Sequence, residues 1–215
     1  MLFAAGGVWL EQISSVERFA LRYVSVAVII LLFLPLIPVL LPVWRPEKLA
    51  NYYKKTGFDK VGVCKWEDLQ NHPLPQDFAD MLNWKEMGDK VSKVYASLPD
   101  STKNKTLIYC RNYALAGAVN YYGRGLSQVN SDNASFLFWM PDQYDVKDLL
   151  FVGRRIPDKD DKVFQQFEKY TVVDSITTPF AREQGVKILL YENGNGQVNE
   201  MIAAGIKEKK DEFRR

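Results

Sequence analysis

The sequence is poor in the residues that build most catalytic and metal sites. It holds one histidine, His72, and two cysteines, Cys64 and Cys110, among 215 residues. A single imidazole excludes most histidine-based ligand sets, and two cysteines so far apart offer no metal spacing, so no metal is expected. The pair forms one disulfide outside the cytoplasm or stays as two buried thiols, and the sequence leaves both open. Surplus charge is lacking too: 28 Lys and Arg face 26 Asp and Glu, a net charge of +2. The densest basic run, Lys207 to Lys210 with Arg214 and Arg215, alternates with acids, as a solvated helix face does. That balance speaks against a nucleic-acid partner. Repeats and low-complexity segments are absent. Gly123 and Gly125 begin a glycine loop that Gln128 leaves incomplete, so no nucleotide cofactor is expected either.

One apolar run stands out against this. Val24 to Val43, VSVAVIILLFLPLIPVLLPV, is twenty residues without a charge, with Arg22 and Arg45 just outside it. As a helix it covers about 30 Å, the hydrocarbon thickness of a bilayer. Fifteen of the twenty are Val, Ile, Leu or Phe, which favours insertion by about 5 to 9 kcal/mol. Pro35, Pro38 and Pro42 reduce that figure but lie in the C-terminal half, where a spanning helix tolerates them. A signal peptide would have a shorter apolar region and a small-residue cleavage site, whereas this run ends in PVWRPEK. Trp44 beside Arg45 fits an interfacial anchor. The expected organisation is a truncated apolar helix tail and short loop over 1–23, a transmembrane helix over 24–43 and an extracytoplasmic α/β domain over 44–215. The basic residues conflict with that side. Arg18 and Arg22 precede the run, whereas Arg45, Lys48, Lys54, Lys55 and Lys60 follow it. Long domains, however, cross membranes largely regardless of charge.

The remainder alternates short apolar strands with helices. Helices are expected over 45–57, from Pro75–Gln76 with Phe78, Met81 and Leu82 inward, over 84–98, 114–122 and 160–170, and over 197–215 with Met201, Ile202 and Ile206 inward. Strands are expected over 106–110, 148–152, 171–176 and 186–191, with 134–140 a strand or buried segment. The pattern predicts an α/β layered fold with a mainly parallel sheet.

Four passages, LPLIPVLLP, HPLPQDFADMLNW, YCRNYALAGAVNYYG and SDNASFLFW, fall in order between Leu34 and Trp139. Together they resemble the C-terminal part of bacterial membrane glycosyltransferases of family 39, relatives of protein O-mannosyltransferases and of the aminoarabinose transferase of lipid A. The resemblance implies an integral enzyme of the bacterial inner membrane. Such an enzyme takes a sugar from a polyprenyl-phosphate donor to a lipid, glycan or protein acceptor on the extracytoplasmic side. It also implies that the catalytic aspartate lies in an N-terminal loop outside this sequence. This chain would then be a non-catalytic C-terminal fragment that shapes access of donor or acceptor. The alternative is a complete single-pass, membrane-anchored module that binds a carbohydrate or a protein.

The candidate binding residues are polar or aromatic groups near turns. Asn112, Asn133 and Ser135 can hydrogen-bond sugar hydroxyls, and Tyr113 or Trp139 can stack on a sugar ring. Their bland alternative is turn capping and core packing. His72 with Asp77, and Asp80 one turn on, form the sharpest titratable group, although carboxylates three apart are common on solvated helices. No residue of this chain is assigned to catalysis.

Overall fold

In the computed structural model of the chain, residues 2–13, 20–157 and 161–214 are described. Glu17 and Arg18 in the expected connection, Asp160 at the head of the expected 160–170 helix, and Arg215 lie outside them. The chain divides into two compact units, one up to Phe78 and one from Ala79.

The first unit begins with α1 (Leu2–Ile13) and α2 (Ala20–Phe33). One 3-10 turn, Leu34–Leu36, leads into α3 (Ile37–Leu40). From Ala20 to Leu40 this is one helical rod of 21 residues, about 31 Å long. Only 6% of its most apolar stretch is buried within the chain. The core helix of a soluble domain would be covered. This helix is long and apolar enough to cross a membrane.

The prolines shape its end. Pro42 has no N–H, so the Pro38 carbonyl lacks the donor that would continue the helix. The Tyr53 hydroxyl donates to that carbonyl at 2.7 Å, and the Tyr52 hydroxyl donates to Pro35 O at 2.6 Å. Both tyrosines belong to α4 (Pro46–Thr56), which starts on Pro46 and stops at the left-handed Gly57, as expected. Burial, then the nearby Cys64, push the Tyr53 phenol up to about 12, so it remains a hydrogen-bond donor. Lys48 Nζ sits 4.1 Å from the Trp44 ring centroid.

At the boundary of the units, α5 (Gln76–Ala79) is one turn only, not the longer helix expected. Phe78 is buried, but Met81 is 60% exposed instead of facing inward.

The second unit holds α6 (Trp84–Ser97), α7 (Asp100–Lys103), β1 (Thr106–Cys110), α8 (Tyr113–Tyr122), β2 (Val129–Asn130), α9 (Phe136–Trp139), β3 (Asp148–Gly153), β4 (Phe167–Ser175), β5 (Lys187–Gly194) and α10 (Gln197–Glu212). The sheet order is β2-β1-β3-β5-β4. β1 runs parallel to β2 and β3, whereas β5 is antiparallel to both β3 and β4. The fold is α/β, but its sheet is mixed, not mainly parallel. The reason is the β4–β5 hairpin.

Residues 160–170 are expected to be helical, and Val163, Phe164, Phe167 and Tyr170 do recur at helical spacing. Phe164–Gln166 does form a 3-10 turn. Phe167 onward is strand instead, drawn by cross-strand pairing in which Tyr170 lies opposite Tyr191 with rings stacked at 5.3 Å. The β-branched run Thr171–Val173 continues it. Ala134 to Met140 likewise yields the single helical turn α9, with Leu137 buried and Phe138 exposed.

β3 is buried along its whole length because both sheet faces are covered. Ile108, Cys110, Leu150, Val152 and Ile188 face a core shared with Met87, Val91 and Tyr95 of α6 and Leu115 and Val119 of α8. Leu149, Phe151, Leu189 and Tyr191 face the other core, which Val198 and Ile202 of α10 close.

α6 and α8 meet at Gly88, where an added Cβ would lie 2.5 Å from Tyr122 Cβ and 2.9 Å from Gly123 N. The obstacle is largely backbone, which cannot swing aside. Gly88→Ala is therefore expected to destabilise the second unit by about 2 kcal/mol or more. Urea unfolding followed by circular dichroism should show a lower midpoint with an unchanged slope, and an unchanged midpoint would refute the close approach.

Candidate functional site

β1, β2 and β3 are parallel neighbours, so their C-terminal ends lie on one edge of the sheet. From β1 the chain crosses through α8 to β2 on one side, then through α9 to β3 on the other. In open α/β sheets such a reversal leaves a crevice at the strand ends, where ligands bind.

A cleft of about 230 Å³ beneath α10 reaches this edge at Arg111 and Asp132 and extends back along the strands to Leu107 and Leu149. Its walls are mostly apolar, with Leu107, Leu149, Phe164, Met201, Ile202 and Ile206 prominent among them. Four charged residues also line it: Arg111 just after β1, Asp132 just after β2, Asp161 and Lys209 of α10. Few convergent polar groups in an apolar concavity is the usual make-up of a small-molecule site.

Asp132 is the hub. Its Oδ1 accepts from the Tyr109 hydroxyl at 2.6 Å, and its Oδ2 accepts from the Lys209 ammonium. Burial raises the Asp132 carboxyl's affinity for a proton, but the hydrogen bonds from Lys209 and Tyr109 and the charges of Lys209 and Arg111 outweigh it. The group is held below the usual carboxylate range. Tyr109 moves the opposite way, raised by burial and by the Asp132 charge. At neutral pH the cluster therefore presents a carboxylate at Asp132 and a neutral phenol at Tyr109, with Lys209 hydrogen-bonded to the carboxylate. Neither Asp132 nor Tyr109 is poised to exchange a proton near pH 7, so the arrangement suits binding more than general acid–base chemistry.

Gly205 lies on the cleft wall in mid-α10. Glycine there costs about 0.5–1 kcal/mol relative to alanine, yet an added Cβ would meet nothing within 4 Å.

No family model, curated protein or solved structure matches this chain. Function therefore has to be read from its own residues.

The residues expected from sequence are placed as follows. Asn112 caps α8, its Oδ1 accepting from the Leu115 N–H at 2.9 Å. Asn133 Oδ1 accepts from the Tyr113 N–H at 3.2 Å, so these two do come together. Tyr113 and Trp139 are exposed at 58% and 62%, and Trp139 meets Phe136 edge-on at 4.9 Å. Ser135 is exposed just before α9 and makes no side-chain cap. None of these five lines the cleft, although Asn112 and Asn133 adjoin Arg111 and Asp132 in the chain.

His72 lies in the first unit, paired with Asp68 at 2.8 Å and stacked on Trp66 at 3.5 Å. Asp77 is exposed on α5. Asp80, within the second unit, pairs with Arg182 at 3.0 Å. Both cysteines are free and buried. Burial pushes the Cys64 thiol up to about 11, and burial raises Cys110 as well, so neither is an activated nucleophile.

Sequence reasoning missed Tyr109, Asp132, Lys209 and Gly205. Asp132 had a usable signal, since it stands two residues beyond the end of a strand parallel to β1. Lys209 had none, because only the docking of α10 brings it across.

Proposed function

We propose that this chain is the C-terminal, non-catalytic part of an integral-membrane glycosyltransferase. The enzyme would move a sugar from a polyprenyl-phosphate donor to a lipid, glycan or protein acceptor. The Ala20–Leu40 helix would anchor it in the bacterial inner membrane, with the α/β unit on the extracytoplasmic side shaping access of donor or acceptor.

One observation carries the reading. A single chain joins an uncovered helix of membrane-spanning length to an α/β unit with a cleft lined by apolar residues and by the charged Arg111 and Asp132 that follow its parallel strands. The likeness of the four passages between Leu34 and Trp139 to family 39 glycosyltransferases supports the choice of reaction. In this reading the catalytic aspartate belongs to sequence preceding residue 1.

The test is transfer of labelled sugar from a polyprenyl-phosphate donor by membranes that carry the gene with its native upstream sequence. Transfer that vanishes on deletion of the gene supports the reading. Equal transfer by membranes with and without the gene, for every polyprenyl-linked donor tried, overturns it.

A second reading, a single-pass anchored module that binds carbohydrate or protein, is favoured by the fixed protonation of Asp132 and Tyr109. It requires binding with no transfer.

A further inference from the structure

Several glycines of the second unit have a packing reason. An added Cβ would collide with Tyr122 at Gly88, with Leu126 and Val119 O at Gly123, and with the Phe151 ring at Gly153. Gly205, like Gly117 of α8, has no such reason: its backbone is ordinary helix, and an added Cβ would meet nothing within 4 Å. Of these two helical glycines, Gly205 is the one on the cleft wall. A helix that forgoes a side chain where one fits leaves room for something else.

The cleft itself describes the occupant. A dry cavity of about 150 Å³ takes a benzene ring. The 230 Å³ here suits one six-membered ring with its substituents and is too small for a folded isoprenoid chain. The charges of Arg111 and Lys209 are matched by those of Asp132 and Asp161, so there is no surplus for a phosphate. The lining holds both donors and acceptors, with capacity to spare. A carboxylate has about four lone-pair sites and an ammonium three donors, of which Tyr109 and Lys209 use one oxygen site each on Asp132. Leu107, Ile202 and Phe164 add apolar surface to the same lining. A ring with hydroxyls on its edge and C–H groups on its face fits both surfaces.

We infer that the cleft beneath α10 binds one uncharged pyranose ring. Its hydroxyls meet Asp132, Lys209 and Arg111, its apolar face lies against Leu107, Ile202 and Phe164, and Gly205 keeps the site open. The choice of ring rests on the cleft. Only its source, a lipid-linked donor or an acceptor glycan, rests on the sugar-transfer reading.

The experiment uses the full chain in detergent and a panel of methyl hexopyranosides, with binding followed by saturation-transfer NMR and melting temperature recorded in parallel. At least one hexoside is expected to bind the wild type, and inorganic phosphate is expected not to displace it. Gly205→Leu should weaken binding by at least roughly tenfold, and Asp132→Asn should also weaken it. Gly205→Ala should raise the melting temperature by roughly 1–4 °C, which separates loss of the site from loss of the fold. Comparing a polyprenyl-phosphate hexose with a free oligosaccharide then identifies the source. Failure of every hexoside to bind, unchanged binding by Gly205→Leu, or displacement by phosphate overturns the assignment. Ring binding without sugar transfer in membranes retires the transferase reading and keeps the cleft. Transfer without ring binding does the reverse.

Discussion

Replacing Ile29 and Ile30 with aspartate is expected to release the chain from membranes. Both are exposed in the middle of Ala20–Leu40. Each aspartate costs about 2.5–3.5 kcal/mol at a helix centre and forfeits about 0.3–0.6 kcal/mol from the isoleucine it replaces. The double change therefore removes about 6–8 kcal/mol, as much as the whole apolar run gains. Flotation after an alkaline carbonate wash measures it. Wild-type protein should rise with the lipid while the variant stays in the dense fraction. The wild type staying in the dense fraction, or the variant rising with the lipid, would show that this helix is not the anchor. Pro35→Ala serves as the control and should float as the wild type does, since it leaves the segment uncharged.

The second large effect concerns Glu86 of α6, which fixes the chain beyond β4. Its carboxylate accepts from the Thr177 N–H and hydroxyl at 2.9 and 2.8 Å and from the Thr178 N–H at 3.0 Å. It also accepts from the Thr178 hydroxyl and pairs with Lys90 at 2.8 Å. Lys90 in turn reaches Asp174 at 3.2 Å. Glu86 and Lys90 are both largely covered, so water cannot replace these bonds cheaply. Glu86→Ala is expected to cost about 3 kcal/mol, a fall in melting temperature of roughly 6–12 °C.

The same site carries a pH signature. Burial raises the Glu86 carboxyl's proton affinity, but hydrogen bonds from Lys90, Thr178 and Thr177 more than reverse this and hold the group well below its ordinary value of 4.5. A depressed folded-state value gives stability that is present above the unfolded value. It is lost as pH falls below about 4.5 towards the folded value. Thermal melts between neutral pH and pH 3 should show a steeper acid loss in the wild type than in Glu86→Gln. Parallel curves would exclude Glu86 as the cause.

Much of the layout is legible in the sequence because local signals agree with it. Pro46 and Gly57 bracket α4, Met87, Val91 and Tyr95 mark the buried stripe of α6, and TLIYC is β1 to the residue. The β4–β5 hairpin escapes because aromatics at helical spacing in residues 163–170 imitate a helix, and only the pairing of Tyr170 with Tyr191 decides otherwise. The site escapes more completely. Asn112 and Asn133 are turn-builders that stand one residue away from the groups that matter, Arg111 and Asp132. The cleft needs Lys209, 77 residues along the chain from Asp132, and a glycine whose value is the space it leaves.

In the proposed topology the apolar helix holds the α/β unit on the outer side of a membrane. Asp100, whose side chain is 97% exposed, provides the probe, since both native cysteines are buried. Asp100→Cys in the full chain should react with a membrane-impermeant maleimide in intact cells as fast as in lysed ones. Labelling that appears only after the cells are broken would contradict the account.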